Sequence, residues 1–201
     1  MKEIILILIL IFLILYFVYN NLYIDDNLIY EKATFDNNDY WVRNMHDKSQ
    51  AANTLALIKS NMVKLINYLQ QNINQFPEQM SNIKDLVKRT KKIYIMETPK
   101  DEKYTSYTIN KGEKIVFCLR SKVLHNIHDI NTIMYVVIHE LAHCACPEYG
   151  HTPLFKEIFK FLLVQSNKIG IYKITNYRQN PVDYCGMTIN EYLLDSIDLK
   201  K

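Results

Sequence analysis

Asn131-Thr-Ile-Met-Tyr-Val-Val-Ile-His-Glu-Leu-Ala-His-Cys-Ala-Cys-Pro-Glu-Tyr-Gly-His151 is the stretch on which the reading of this chain turns. Residues 131 to 138 are apolar with helical periodicity, and Asp129 or Asn131 can cap the start, so a buried helix is expected there. His139 and His143 are four residues apart. On a helix they project from one face, one turn above the other, and both can reach a single metal ion. Glu140 follows the first of them directly, which sets its carboxylate beside such an ion rather than on it. From there it can take a proton from a water and pass it to a leaving group. The arrangement is H-E-x-x-H. Pro147 ends the helix, Gly150 turns the chain, and His151 arrives just before Thr152-Pro153, an N-cap and first-turn pair for a further helix. A zinc site that does chemistry has three protein ligands and an open fourth position, and His151 supplies the third.

Histidines on an apolar helix also occur as hydrogen-bonded core residues, and Glu140 could lie on a solvated face. Burying two imidazoles and a carboxylate on one face without a metal is expensive, which favours the metal reading of His139, Glu140 and His143. His151 rests on the need for a third ligand.

These residues carry a resemblance. His139-Glu-Leu-Ala-His143, followed by Gly150-His151-Thr-Pro-Leu-Phe155 and an amphipathic helix, resembles the SprT-like and WLM-like zinc metalloproteases over about residues 114 to 164. The resemblance implies Zn2+ held by His139, His143 and His151, Glu140 as general base, and a protein or peptide substrate. It also implies an α+β, zincin-like fold: an H-E-x-x-H helix, a small β-hairpin or sheet before it, and supporting helices. The Cys-rich ribbon that often follows SprT-like domains is absent, so a role on DNA-crosslinked proteins is not carried over. Two alternatives stay open: a non-catalytic zinc-binding structural membrane protein of the same fold, and a DNA-associated SprT-like protease.

Working outward, residues 4 to 19 are an uninterrupted apolar run, extended through Asn20-Asn21 by Leu22-Tyr23-Ile24. At about 1.5 Å per residue, positions 4 to 24 reach roughly 30 Å, the thickness of a bilayer core. No small-residue cleavage site follows, so one uncleaved transmembrane helix contacting lipid through residues 4–24 is expected. Lys2 precedes the run, and Asp25, Asp26, Glu31, Asp36 and Asp39 follow it. That places the amino end inside and the catalytic part outside the cytosol or in a lumen. The expected organisation is an anchor at 1–24, a stalk at 25–49 and a metallopeptidase domain at 50–201.

Within that domain, Leu55, Leu57, Ile58, Met62, Leu65, Ile66 and Leu69 recur at helical spacing, and a shorter helix is expected over 78–88. The basic cluster Lys84-Asp-Leu-Val-Lys-Arg-Thr-Lys-Lys92 reads as a solvated helix face, with an anionic lipid or nucleic acid as the lesser reading. A net charge of +3 is too mild to point to nucleic acid. Tyr104-Thr-Ser-Tyr-Thr-Ile109 and Lys114-Ile-Val-Phe-Cys-Leu-Arg120 flank Asn110-Lys-Gly-Glu113, a hairpin signature. Leu154, Phe155, Ile158, Phe161 and Leu162 form a core stripe ending near Gly170. In the tail, Tyr172, Tyr177, Arg178 and Tyr184 are candidate oxyanion stabilisers, each more readily read as structural. Cys144-x-Cys146 lacks the spacing of a zinc knuckle. In an oxidising compartment Cys144 or Cys146 could pair with Cys185, and in a reducing one all the cysteines are small buried hydrophobes.

Overall fold

The computed structural model of the chain describes residues 2–22, 28–100, 102 and 104–194. Its organising element is the helix Ile130–Ala145, here α4 because α1 (Lys2–Leu22), α2 (Lys48–Gln71) and α3 (Met80–Arg89) precede it. Asp129 starts α4. Its carboxylate accepts from the backbone N–H of Asn131 at 2.9 Å and of Thr132 at 3.1 Å, satisfying donors that a helix start leaves over. The chain turns extended at Cys146, immediately before Pro147, and the helix stops. Thr152 caps α5 (Pro153–Lys168) in the same way, accepting from Phe155 N at 3.3 Å, with Pro153 in the first turn. Gly170 follows α5 at φ 72°, a left-handed position that glycine adopts without strain.

The helices bury the faces their periodicity marks. Leu55, Ile58, Met62, Leu65, Ile66 and Leu69 of α2, and Ile83 and Leu86 of α3, join Ile133, Val137, Ile138 and Leu141 of α4 in one core. Phe155, Ile158, Phe159, Leu162 and Leu163 of α5 belong to that core too. At about 1.5–3 kcal/mol per buried side chain, this apolar burial is the main force holding α4 in place.

Three small sheets complete the α+β architecture. β3 (Tyr94–Glu97), β4 (Tyr107–Ile109) and β5 (Lys114–Phe117) lie in the order β3-β5-β4. β4 and β5 form the expected antiparallel hairpin, and β3 runs parallel to β5. Val182–Tyr184 and Met187–Ile189 pair as β6 and β7.

Four expectations are corrected here. Within the stretch expected to be a stalk, 25–49, the described residues 28–49 are folded onto the domain. β1 (Leu28–Lys32) and β2 (Asp39–Arg43) pair antiparallel, and Ala33, Tyr40 and Val42 sink into the main core. Second, a zincin-like fold is not shown. The strands are split among sheets of two, three and two strands, each held by its own short register, and what stands is α+β with five α-helices among the described residues. Third, no helix among the described residues is long and apolar enough to cross a membrane. The unbroken apolar run, 4 to 19, reaches only about 24 Å against a bilayer core of about 30 Å. Tyr23 and Ile24, counted on to close the gap, lie outside the described residues, as do Asp25 and Asp26. The transmembrane helix, the single-pass membrane localisation and the orientation inferred from it are therefore withdrawn. Fourth, Cys118 is the residue bonded to Cys185, while Cys144 and Cys146 are buried thiols. Cys118 follows β5 and Cys185 lies in the β6–β7 turn, two sites that the fold, not the sequence order, brings together. Tyr184 adds to this staple by donating to Cys118 O at 2.6 Å, and His128 Nε2 accepts from Cys185 N at 3.1 Å.

A buried ion cluster joins the β1–β2 hairpin to the rest. Arg120 and Glu97 are both fully buried, and Arg120 Nε donates to Glu97 Oε1 at 2.7 Å. A second donor, Arg120 Nη1, goes to Asp47. Glu97 Oε2 accepts from Arg43 N at 2.8 Å, and Arg43 Nε donates to Thr98 O at 2.8 Å. Charges so deep are tolerated because most of their polar atoms are matched, although Arg120 Nη2 and Asp47 Oδ1 are buried without a hydrogen-bond partner.

Candidate metal centre

α4 carries His139 and His143 one turn apart, and α5 begins two residues after His151, so two helix geometries decide where three rings meet. The Nε2 atoms of His139 and His143 are 3.2 Å apart, those of His143 and His151 3.2 Å, and those of His151 and His139 3.0 Å. Tetrahedral bonds of about 2.0–2.1 Å to a zinc ion would place neighbouring nitrogens about 3.3 Å apart. The ring set therefore fits a small divalent cation. Hydrogen bonding alone accounts poorly for the triangle. An imidazole N–H points along its own ring axis, so three converging Nε2 atoms aim at a common centre rather than at one another.

Phe155 is the floor under all three rings. Its ring stacks on His143 at 4.2 Å between centroids and lies 5.0 Å from His139 and 4.9 Å from His151. Burial, reinforced by repulsion from the neighbouring imidazoles, pulls His139 down to about 3. Burial, with His151 and Lys111 adding to it, pulls His143 down to about 4. Both rings are thus neutral at ordinary pH, the form that offers a lone pair to a metal.

Glu140, next to His139 on α4, is 5 % exposed. Burial pushes its carboxyl up to about 7, partly offset by Thr108 on β4, whose hydroxyl donates to Oε2 at 2.7 Å. Donation of this kind stabilises the ionised form. Thr108→Val is therefore expected to make Glu140 a weaker acid by about tenfold or more, from the loss of a hydrogen bond to a charged group. A carbon-detected NMR titration of that carboxyl checks it, and an unchanged midpoint would show that Thr108 does not hold the ionised oxygen.

Two cavities meet at His139, Glu140 and His151. One, of about 430 Å³, is walled mainly by apolar side chains, among them Tyr135, Phe159, Met187, Ile189 and Leu193. The other, of about 620 Å³, is more polar and is lined by Arg89, Thr108, Lys111 and Tyr149. β4, an edge strand of its sheet, borders the polar cavity through Tyr107 and Thr108, and Ser106 just before it lines both.

Three residues at the site escape sequence reasoning. Thr108 lies in an unremarkable strand, Lys111 in a turn, and Arg89 in the basic cluster read as a solvated face. Arg89 instead donates through Nη1 to Cys144 O at 2.7 Å and Cys146 O at 3.2 Å, and pairs with Asp85. The tail tyrosines are structural where they are seen. Tyr172 and Tyr177 pack around Tyr135, and Tyr184, although it lines the apolar cavity, spends its hydroxyl on Cys118 O and Ser106. Arg178 is exposed in the segment after α5.

Fold and site together define an α+β protein with a three-histidine candidate metal centre. It shares 46% identity over 165 residues, 82% of this chain and 84% of the relative, with Uncharacterized protein R325 of Acanthamoeba polyphaga mimivirus, and it belongs to that protein's family. It is also similar to Uncharacterized protein 136R of Invertebrate iridescent virus 6, 40% identical over 85 residues, or 41% of this chain and 44% of that protein. A third relative is Uncharacterized protein 042R of Invertebrate iridescent virus 3, 43% identical over 72 residues, or 35% of this chain and 44% of that protein. No family model matches the chain, and no solved structure matches it.

Proposed function

We propose that the protein is a zinc-dependent metallopeptidase that hydrolyses peptide bonds in protein or peptide substrates. The observation that carries this reading is the convergence of three Nε2 atoms within 3.2 Å of one another at the meeting point of two cavities that Glu140 also lines. The motif's resemblance to SprT-like and WLM-like metalloproteases supports it.

His139, His143 and His151 would hold the ion. When bound, it supplies Lewis-acid polarisation of a carbonyl and makes a water easier to deprotonate. Glu140 takes the proton of the attacking water on its carboxylate and returns it to the departing amine nitrogen. Thr108 holds one carboxylate oxygen so that the other is presented to the water. β4 offers an unpaired strand edge along which an extended peptide can align by backbone hydrogen bonds. The apolar cavity takes a substrate side chain and keeps bulk water from Glu140.

Full-length protein loaded with one equivalent of zinc is expected to cleave denatured casein, to stop on chelation and to resume when zinc is restored. Zinc retained without any cleavage would reduce the site to a structural one. Because the ion ties α4 to the start of α5, its removal from a sample at about a hundredfold excess over Kd is expected to cost about 2.7 kcal/mol. For a chain of this size that lowers Tm by roughly 5–10 °C. An identical melting curve with and without chelator would contradict a shared ion at the three histidines.

A further inference from the structure

His139 and His143 are held by the helix they sit on, whereas His151 is exposed and stands on the connection between α4 and α5. Where it stands depends on the path of residues 146–150. That path is clamped from one side. Lys111 Nζ donates to three successive carbonyl oxygens, Cys146 O at 2.8 Å, Pro147 O at 2.7 Å and Glu148 O at 3.1 Å. The same ammonium lies 4.3 Å from the centre of the Tyr149 ring. An ammonium has three protons to donate, and here each has a carbonyl. Arg89 takes Cys144 O in the last turn of α4 and again Cys146 O just after it. Together the two cations satisfy acceptors that a helix end leaves unpaired and sit at its negative pole.

Lys111 reaches this position because of the turn that carries it. Asn110 and Lys111 have φ of 48° and 54°, and Gly112 has φ of 123°. A Cβ on Gly112 would come within 3.0 Å of Arg89 O and 3.3 Å of Cys144 Sγ, so the missing side chain lets the turn press against α3 and α4.

We propose that Lys111 is a positioning residue for the third imidazole: by clamping the carbonyls of 146–148 it sets where Gly150 and His151 return over α4, and so sets the affinity of the triad for a divalent cation. This rests on the reading of the triad as a metal centre. Charge alone acts in the opposite sense. The ammonium is near enough to His143 to oppose positive charge on that ring, so a Lys111 that were merely a nearby cation would weaken ion binding, and its removal would tighten it. The sign of the effect separates the two roles.

The test titrates the full chain with zinc, against a competing chelator, and with cobalt(II), for the wild type, Lys111→Met and Lys111→Arg. Lys111→Met is expected to raise the zinc Kd by about 10–100-fold, the range seen when groups that orient metal ligands are removed. The visible cobalt(II) spectrum is expected to weaken and shift, because the third nitrogen no longer seats. Lys111→Arg, which still offers several donors to the same carbonyls, recovers most of both. Unchanged or tighter zinc binding by Lys111→Met, with the wild-type cobalt spectrum, overturns the proposal. A wild type that takes up neither ion overturns the metal-centre reading and the clamp with it. Should Lys111→Met not fold, Lys111→Gln, which keeps one donor group, is expected to bind zinc more weakly than the wild type; wild-type affinity there also counts against the clamp.

Discussion

Glu140→Gln is expected to lower the rate of peptide hydrolysis by on the order of 10²–10⁴-fold while zinc content and melting temperature stay close to those of the wild type. In barrier terms that is about 3–5 kcal/mol. The amide has nearly the shape of the carboxylate and can still accept from Thr108, whose hydroxyl is 2.7 Å from Oε2. What it lacks is the capacity to take a proton from a water and release it to an amine. His143→Ala is the matching control, since it removes one of three nitrogens that lie within 3.2 Å of one another. It is expected to lose the ion as well as the activity. Residual cleavage by Glu140→Gln within a few-fold of the wild type would remove Glu140 from the chemistry and leave the histidines as a binding site alone.

Glu97→Leu is expected to destabilise the fold by about 3–5 kcal/mol, the cost of leaving a buried charge without its partner. The carboxylate accepts from Arg120 Nε at 2.7 Å and from Arg43 N at 2.8 Å, and both Glu97 and Arg120 are fully buried. Leucine supplies apolar volume but returns neither bond, so a guanidinium is left in a dry site with Asp47 as its remaining carboxylate. The predicted loss appears as a lower denaturant midpoint with an unchanged slope, and as a fall in Tm of roughly 10 °C. Because the cluster ties the β1–β2 hairpin to β3 and to the segment after β5, hydrogen exchange in 28–43 is expected to accelerate most. A cost below about 1 kcal/mol would mean that water reaches the cluster.

Local signals account for much of what can be read from the chain. Asp129 and Thr152 are caps at the positions the sequence marks, because a cap is made with the backbone two or three residues away. The β4–β5 hairpin is legible for a similar reason, since a turn that needs φ above zero advertises itself in Asn110-Lys-Gly. The β1–β2 hairpin is not. Asp39 to Arg43 buries three of five side chains on both faces rather than alternating, so no strand period stands out from the Asn- and Asp-rich residues around it. The N-terminal run is read correctly as apolar and wrongly as a membrane span, since no helix among the described residues is long and apolar enough to cross a bilayer.

By itself the sequence determines that α4 forms, that His139 and His143 share one of its faces with Glu140 next to them, and that His151 stands just ahead of a capped helix. All of this follows from a 3.6-residue repeat and from contacts a few residues long. Only the tertiary structure decides that the third ring closes on the other two, that Thr108 answers Glu140, that Lys111 and Arg89 grip the end of α4, and that Cys118 bonds Cys185. It alone also brings Arg43, Asp47, Glu97 and Arg120 together. Direct partners among these are up to 73 residues apart in the chain, and such contacts depend on how apolar faces pack, which no local pattern of residues encodes.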